Sequence, residues 1–114
     1  MDDCIFCKII KKEIPANIVY EDDKVMAFKD INPQAPIHIL IVPKQHIPSV
    51  ADINESNKAV VSDINIAAVK TAEKIGIKDS GFRLICNCGA NAGQTVLHLH
   101  YHLLGGKVLG ETLI

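Results

Sequence analysis

Apolar residues recur along this chain with two periods, and the switches between them mark out the elements. Ile5 and Ile9, with Phe6 and Ile10 beside them, fall at helical spacing over residues 5–12, and Pro15 closes the segment. That predicts a short N-terminal helix. Residues 18–20 and 24–28 are rich in β-branched and aromatic side chains and flank the polar Glu21-Asp22-Asp23, a connection of hairpin length. Residues 37–42 predict a third strand, stopped at Pro43. Over residues 54–75, Val60, Ile64, Ala67, Ala68, Ala72 and Ile75 return every three or four positions, which predicts a long amphipathic helix ended by Gly76. Asp52 and Asn54 are rival caps for it, Asp52 having Glu55 at capping-box spacing. Residues 82–87 and 95–104 then predict two more strands on either side of the loop 89–94. The expected fold is α+β: a five-stranded antiparallel sheet with one long helix and a short N-terminal helix, in one domain spanning 1–114.

Composition narrows the partners. The chain has 114 residues, 48% of them apolar, enough for one core. Twelve Lys and Arg against 13 Asp and Glu leave a net charge of -1 with no basic cluster, so a nucleic-acid polymer is not an expected partner. Three Phe, two Tyr and no Trp offer little for stacking successive bases, while a pocket for one base remains open. The acidic Met1-Asp2-Asp3 start carries no secretion signal, and no apolar run reaches bilayer length. A cytoplasmic protein without membrane attachment is expected, its four cysteines reduced.

The candidate chemistry lies in histidine. His98, His100 and His102 alternate with Leu99, Tyr101 and Leu103, so on a strand the imidazoles share one face and the apolar set the other. With the apolar set under the long helix, the row would line the accessible face. His38 stands apart from Ile37, Ile39 and Ile41 in the same way and joins the row if its strand is a neighbour. A lone His is most simply a satisfied core or surface residue; three in strict alternation point to function. Two functions fit: ligands of a catalytic metal, or one imidazole attacking phosphorus with its neighbours assisting.

The run His98-x-His100-x-His102 continues into Leu103-Leu104 and Gly105-Gly106 and so resembles the signature of the histidine triad (HIT) superfamily. Ile14-Pro15-Ala16, Tyr20-Glu21-Asp22, Ala27-Phe28, the stretch Asp30 to Pro36, His38 to Pro43 and Lys44-Gln45-His46 extend the resemblance over nearly the whole chain. It is strongest to the small dimeric nucleotide-binding hydrolases. The resemblance implies cleavage of purine nucleoside 5′-phosphoramidates or related conjugates through a nucleotidyl-histidine intermediate, with AMP or GMP as product and no catalytic metal required. It implies His100 as nucleophile, its second nitrogen held by a backbone carbonyl. His102 would bind phosphate oxygen and assist the leaving group, and His38 and His98 would complete the row. The loop Asn91 to Thr95 resembles the family's phosphate cradle, with Gly93, Gln94 and Thr95 at the ligand, and Asn87 would reach the phosphate or leaving-group side. Asp30 matches the ribose carboxylate, an acceptor for two hydroxyls. Ile5, Phe6, Ile9, Phe28 and Ile31 match the walls of the base pocket, with Lys29 at its edge; the same apolar set fits plain core equally well. A homodimer is a further expectation from kinship, the long helix and a sheet edge pairing across a two-fold axis.

Cys4 and Cys7 form a C-x-x-C at a helix start, half of a structural zinc site. By the resemblance, His46 and His98 complete a closed tetrahedron. Two free thiols or a redox pair are the rival readings, and Cys86 and Cys88 read as small apolar residues. Two alternatives to the nucleotide hydrolase remain: a metal-dependent hydrolase with the His row as ligands, and a nucleotide-binding regulatory module with vestigial catalysis.

Overall fold

The protein is described by a computed structural model over residues 3–113; Met1, Asp2 and Ile114, which bound the expected domain, lie outside the described residues. The elements in chain order are α1 (Ile5–Ile10), β1 (Ile18–Glu21), β2 (Val25–Lys29), β3 (Ile37–Pro43), α2 (Ala59–Ile75), β4 (Phe82–Ile85) and β5 (Tyr101–Gly105). All five strands form one antiparallel sheet in the order β1-β2-β3-β5-β4. The expected α+β architecture is present, and among the described residues no helix is long and apolar enough to cross a membrane.

Strand alternation sends the apolar residues to two separate cores. On one face, Val25, Ala27, Ile39, Ile41, Leu99 and Leu103 pack beneath α2 against Val60, Ile64, Ala67, Ala68 and Ala72. On the other, Met26, Phe28, Leu40 and Val42 meet Phe6 and Ile9 of α1. The long helix therefore covers one side of the sheet, chiefly over β1, β2 and β3, and α1 covers part of the other. The uncovered remainder is where the imidazoles emerge.

Local chemistry explains where the elements depart from the periodicity. The first helix stops at Ile10, before Lys12, because Lys12 takes a left-handed conformation (φ 66°) and the Glu13 N–H closes back on the Lys8 carbonyl. The long helix begins at Ala59 instead of 54. Asn54 Oδ1 accepts from the Ser56 N–H and Asn57 Oδ1 from the Asn54 N–H, both at 2.8 Å, making a separate turn ahead of the helix. Asp52 caps nothing in α2; it ends a 3₁₀ turn (Val50–Asp52) and accepts from the Ser49 hydroxyl. The fourth strand ends at Ile85, two residues short of 87.

The largest departure is in β5, which starts at Tyr101 and not at 95. Continuing the β3–β5 register from Ile41↔Tyr101 would set Leu99 against Pro43. The Lys44 N–H bonds the Lys24 carbonyl on the β2 side, so position 43 faces β5, and there proline has no N–H to give. Leu99 instead donates to the Ile47 carbonyl. Only His102 of the three thus lies within a strand, although the alternation of faces continues through the extended chain before it.

The strand closes on Gly105 and Gly106. Gly106 has φ +84°, and a Cβ there would come within 3.0 Å of Ile37 Cγ1 and 3.1 Å of Pro36 Cβ. Glycine takes this positive φ without strain and leaves Pro36 and Ile37 undisturbed where the end of β5 lies against the start of β3.

Candidate active site

Each imidazole of the row is held by a different partner, and each partner restricts what that ring can do. His98 is fully buried. Its Nε2 donates to the Pro43 carbonyl at 2.9 Å, which leaves Nδ1 bare and pointing at Cys4, Cys7 and His46. His100 is nearly buried, and its Nδ1 donates to the His98 carbonyl at 2.7 Å. A carbonyl can only accept, so Nδ1 carries the proton and Nε2 is the free lone pair. The Phe6 ring meets His100 edge-on at 5.1 Å and His98 at 5.9 Å, fixing both ring planes. His102 is half-buried, its ring centroid 5.4 Å from that of His100. Its Nδ1 lies 2.8 Å from His38 Nε2, because β3 and β5 are neighbours. The four rings do share a face, but that face is graded from closed to open: α1 covers the His98 end and leaves the His102 end partly exposed.

Burial, reinforced by His46 and His100 and opposed by the Pro43 hydrogen bond, pushes the His98 imidazole down to about 4. Burial, with His100 and His38, also lowers His102. An unfolded histidine titrates near 6.5. Between these values the unfolded chain binds protons that the fold excludes, so stability rises with pH across the window. The metal-free protein is therefore expected to hold full stability above about pH 7 and to lose it as pH falls towards 4, by roughly 3 kcal/mol from His98 alone. Urea midpoints between pH 7 and 4 check this, and a constant midpoint contradicts it.

The Cys4, Cys7, His46 and His98 donor atoms all lie within 4.8 Å of one another. A tetrahedral zinc ion places nitrogen and sulfur ligands about 3.5 Å apart and two nitrogens about 3.3 Å apart. Here Cys4 Sγ and Cys7 Sγ stand 3.5 and 3.6 Å from His98 Nδ1, Cys7 Sγ is 3.3 Å from His46 Nδ1, and the two Nδ1 atoms are 3.1 Å apart. The outward Nε2–H of His98, fixed on a carbonyl, is the orientation that a metal-binding imidazole adopts. Burial and the adjacent Cys4 raise the Cys7 thiol, so without a cation that sulfur stays protonated. The donor set, its spacing and its tautomer fit a closed metal centre.

The remaining residues fall into distinct places. Asp30 stands beside His38, with Oδ2 3.4 Å from His38 Nε2 and Oδ1 accepting from the Asn32 N–H at 2.8 Å. Phe6, Ile9 and Phe28 belong to the core under α1, whereas Ile5 and Ile31 are exposed at its rim and Lys29 projects to solvent. Of the residues that fit site and core equally in the sequence, Phe6, Ile9 and Phe28 are thus core, and Ile5 and Ile31 lie at the surface beside it. Asn87 follows β4, and extending the Ile85↔His102 register sets it opposite His100. In the loop, the Gly93 N–H donates to Ala90 and the Gln94 N–H to Gly89, whereas the Asn91 and Thr95 N–H groups make no such bond among the described residues. Gln94 is buried, and its side chain is spent on the Gly89 N–H and on the Pro48 and Val96 carbonyls. It braces the loop. The sequence carries no signal for that, nor for Pro43 and Gln34, whose backbone groups hold His98 and His38.

Imidazoles in alternation on the half-covered face of a five-stranded antiparallel sheet, each fixed by a backbone or imidazole partner, define a histidine-based enzyme. The family model described as "Scavenger mRNA decapping enzyme C-term binding" matches residues 3–112. The chain is 49% identical over 112 residues to the purine nucleoside phosphoramidase of Escherichia coli K12, covering 98% of this chain and 94% of that one. It is 50% identical over 106 residues to an uncharacterized HIT-like protein of Synechocystis, covering 93% and 92%. Among solved structures, a HIT family hydrolase from Clostridium thermocellum superposes with a TM-score of 0.98 at 58% identity, covering 100% and 99% of the two chains. A histidine triad protein from Clostridium difficile gives 0.95 at 52%, covering 98% and 97%. The chain belongs to the histidine triad family and is a hydrolase of that family.

Proposed function

We propose that the protein hydrolyses purine nucleoside 5′-phosphoramidates or related nucleotide conjugates through a nucleotidyl intermediate on His100, releasing AMP or GMP. The observation that carries this reading is the His100 Nδ1 bond to the His98 carbonyl at 2.7 Å, which in the neutral form of the ring leaves an oriented Nε2 lone pair. That nitrogen forms a bond to the α-phosphorus as the bond to the leaving nitrogen breaks, and the leaving group takes a proton from His102 and departs as the amine. Water then displaces the nucleotide from His100 and restores the ring. Two easier displacements replace one difficult step.

The other residues serve the same centre. His102 faces the phosphoryl oxygens and the leaving-group side, supported by His38. The Gly93 to Thr95 segment, with the Thr95 amide and hydroxyl, offers donors to developing negative charge. Asn87 stands on the same side. Asp30 keeps acceptor capacity for the ribose hydroxyls, and Ile5, Phe6, Ile9, Phe28 and Ile31, with Lys29 at the edge, bound the base. The name of the Escherichia coli relative supports the phosphoramidate class.

A structural zinc ion at Cys4, Cys7, His46 and His98 belongs to the same reading; it would clip α1 to the chain before β5 and supply no activated water. A homodimer also belongs to it, supported by the exposed Ile66 and Val69 on α2 and by the open edge of β4. The metal-dependent alternative loses ground to the geometry. His98 turns to the cysteines, His100 to a carbonyl and His102 to His38, so the three rings do not converge on one point.

The test is acid-quench mass spectrometry during turnover of adenosine 5′-phosphoramidate. A nucleotidyl adduct is expected on the peptide that contains His100. An adduct elsewhere, or turnover with no adduct and full loss on chelation, removes the proposal.

A further inference from the structure

His100 and His102 are chemically identical rings 5.4 Å apart between centroids on one face, yet the proposed reaction needs a nucleophile at one and a hydrogen-bond donor at the other. The loop before β3 contains a device that separates them. The backbone N–H of Gln34 lies 3.0 Å from His38 Nδ1. An amide N–H can only donate, so His38 Nδ1 is bare and the proton of the neutral ring sits on Nε2. That Nε2–H meets His102 Nδ1 at 2.8 Å, with Asp30 Oδ2 more distant at 3.4 Å. Two N–H groups cannot face each other at that separation, so His102 Nδ1 is bare as well. The 2.8 Å spacing is that of a hydrogen bond and is shorter than the about 3.3 Å between two nitrogens on a tetrahedral ion.

We propose that the Gln34 backbone amide sets a two-ring tautomer relay, through His38 to His102, that fixes the His102 proton on Nε2 and makes this imidazole a neutral hydrogen-bond donor to the phosphoryl group. His100 is set the opposite way, with its proton on Nδ1 and its Nε2 bare. What each Nδ1 faces, a carbonyl or another ring's N–H, thus decides which of the two imidazoles attacks. A neutral imidazole is a competent electrophilic donor. Gln34 is a positioning residue here, and its side chain is not involved: Nε2 reaches only the Asn32 carbonyl, at 3.2 Å. Pro33 and Pro36 stiffen the loop on either side, as does the Asn32 N–H bond to Asp30.

The donor role rests on the phosphoryl-transfer reading above, whereas the tautomer is a property of the free protein and is measured without substrate. Nitrogen-15 spectra of the imidazoles distinguish bare from protonated ring nitrogens. In the parent, His38 and His102 are expected to carry protons on Nε2 and His100 on Nδ1. Gln34→Ala, which keeps the amide, should leave this pattern intact. Gln34→Pro, which removes it, should mix the tautomers of His38 and His102 and leave His100 alone. Because a third proline would also disturb the loop, His38→Gln and His38→Glu give an independent pair. Glutamine can accept from the Gln34 amide and donate to His102, preserving the tautomer; a carboxylate can only accept, and should invert His102 to Nδ1–H. With that inversion, kcat for a nucleoside phosphoramidate should fall about 100-fold while AMP affinity stays within a few-fold. A parent His102 with its proton on Nδ1, or a His38→Glu variant that leaves His102 unchanged, overturns the relay. Inversion without loss of turnover overturns the donor role, and an adduct missing from His100 counts against the parent reading alone.

Discussion

Replacing His100 with alanine is expected to reduce turnover of a nucleoside phosphoramidate by roughly 10⁴-fold or more. No other ring of the row can take over. His98 points its bare nitrogen at the cysteines, and His38 and His102 face one another. The product nucleotide should still bind within a few-fold of the parent, since the proposed base, ribose and phosphate contacts come from other elements. His102→Ala should be milder, about 10²-fold, as expected for loss of one oriented donor to a developing charge. Measuring kcat and AMP affinity for both variants separates three models. A covalent mechanism gives the stated order, a metal-centred one loses all activity on chelation, and a vestigial binding module shows no turnover even in the parent. Equal losses at His100 and His102 would count against a single nucleophile.

The second large effect is on stability. Removing the metal with a chelator, or changing Cys7 to serine, is expected to lower Tm by about 10 °C or more, which for a chain of this size corresponds to roughly 3 kcal/mol. Three consequences combine. The binding energy of a closed site is lost, Cys7 reverts to a buried thiol and Cys4 to a partly buried one, and α1 loses its tie to the chain around His98. Differential scanning calorimetry paired with metal analysis checks this. A parent that retains no zinc on purification and melts unchanged after chelation would identify the cluster as hydrogen-bonded thiols and imidazoles. Turnover at 25 °C should survive better than Tm, because an ion at this cluster would touch none of the proposed reacting atoms.

Much of this was legible in the residues, because the periods of two and of three to four reflect packing directly. Leu99, Tyr101 and Leu103 against His98, His100 and His102 gave the faces correctly, and the spacing from Val60 to Ile75 located the long helix. Boundaries were less legible because short side-chain bonds set them: Asn54 and Asn57 build their own turn ahead of α2. The strand expected from 95 was misplaced for a long-range reason, a proline more than 50 residues earlier. The C-x-x-C was visible, but its partners came from the family resemblance, and their spacing became checkable only in three dimensions. Backbone partners were not legible at all. The Gln34 amide and the Pro43 and His98 carbonyls carry no side-chain signature, and these groups decide which nitrogen of each ring is free.

Pro43 carries one more consequence. A valine there would let the ladder between the third and fifth strands zip two residues further, and Leu99 would claim the carbonyl that now restrains His98. The sheet would gain regularity, and the segment through His100 would be drawn flat into it. An interruption that looks like a defect in the β-structure is what gives the buried His98 ring its anchor.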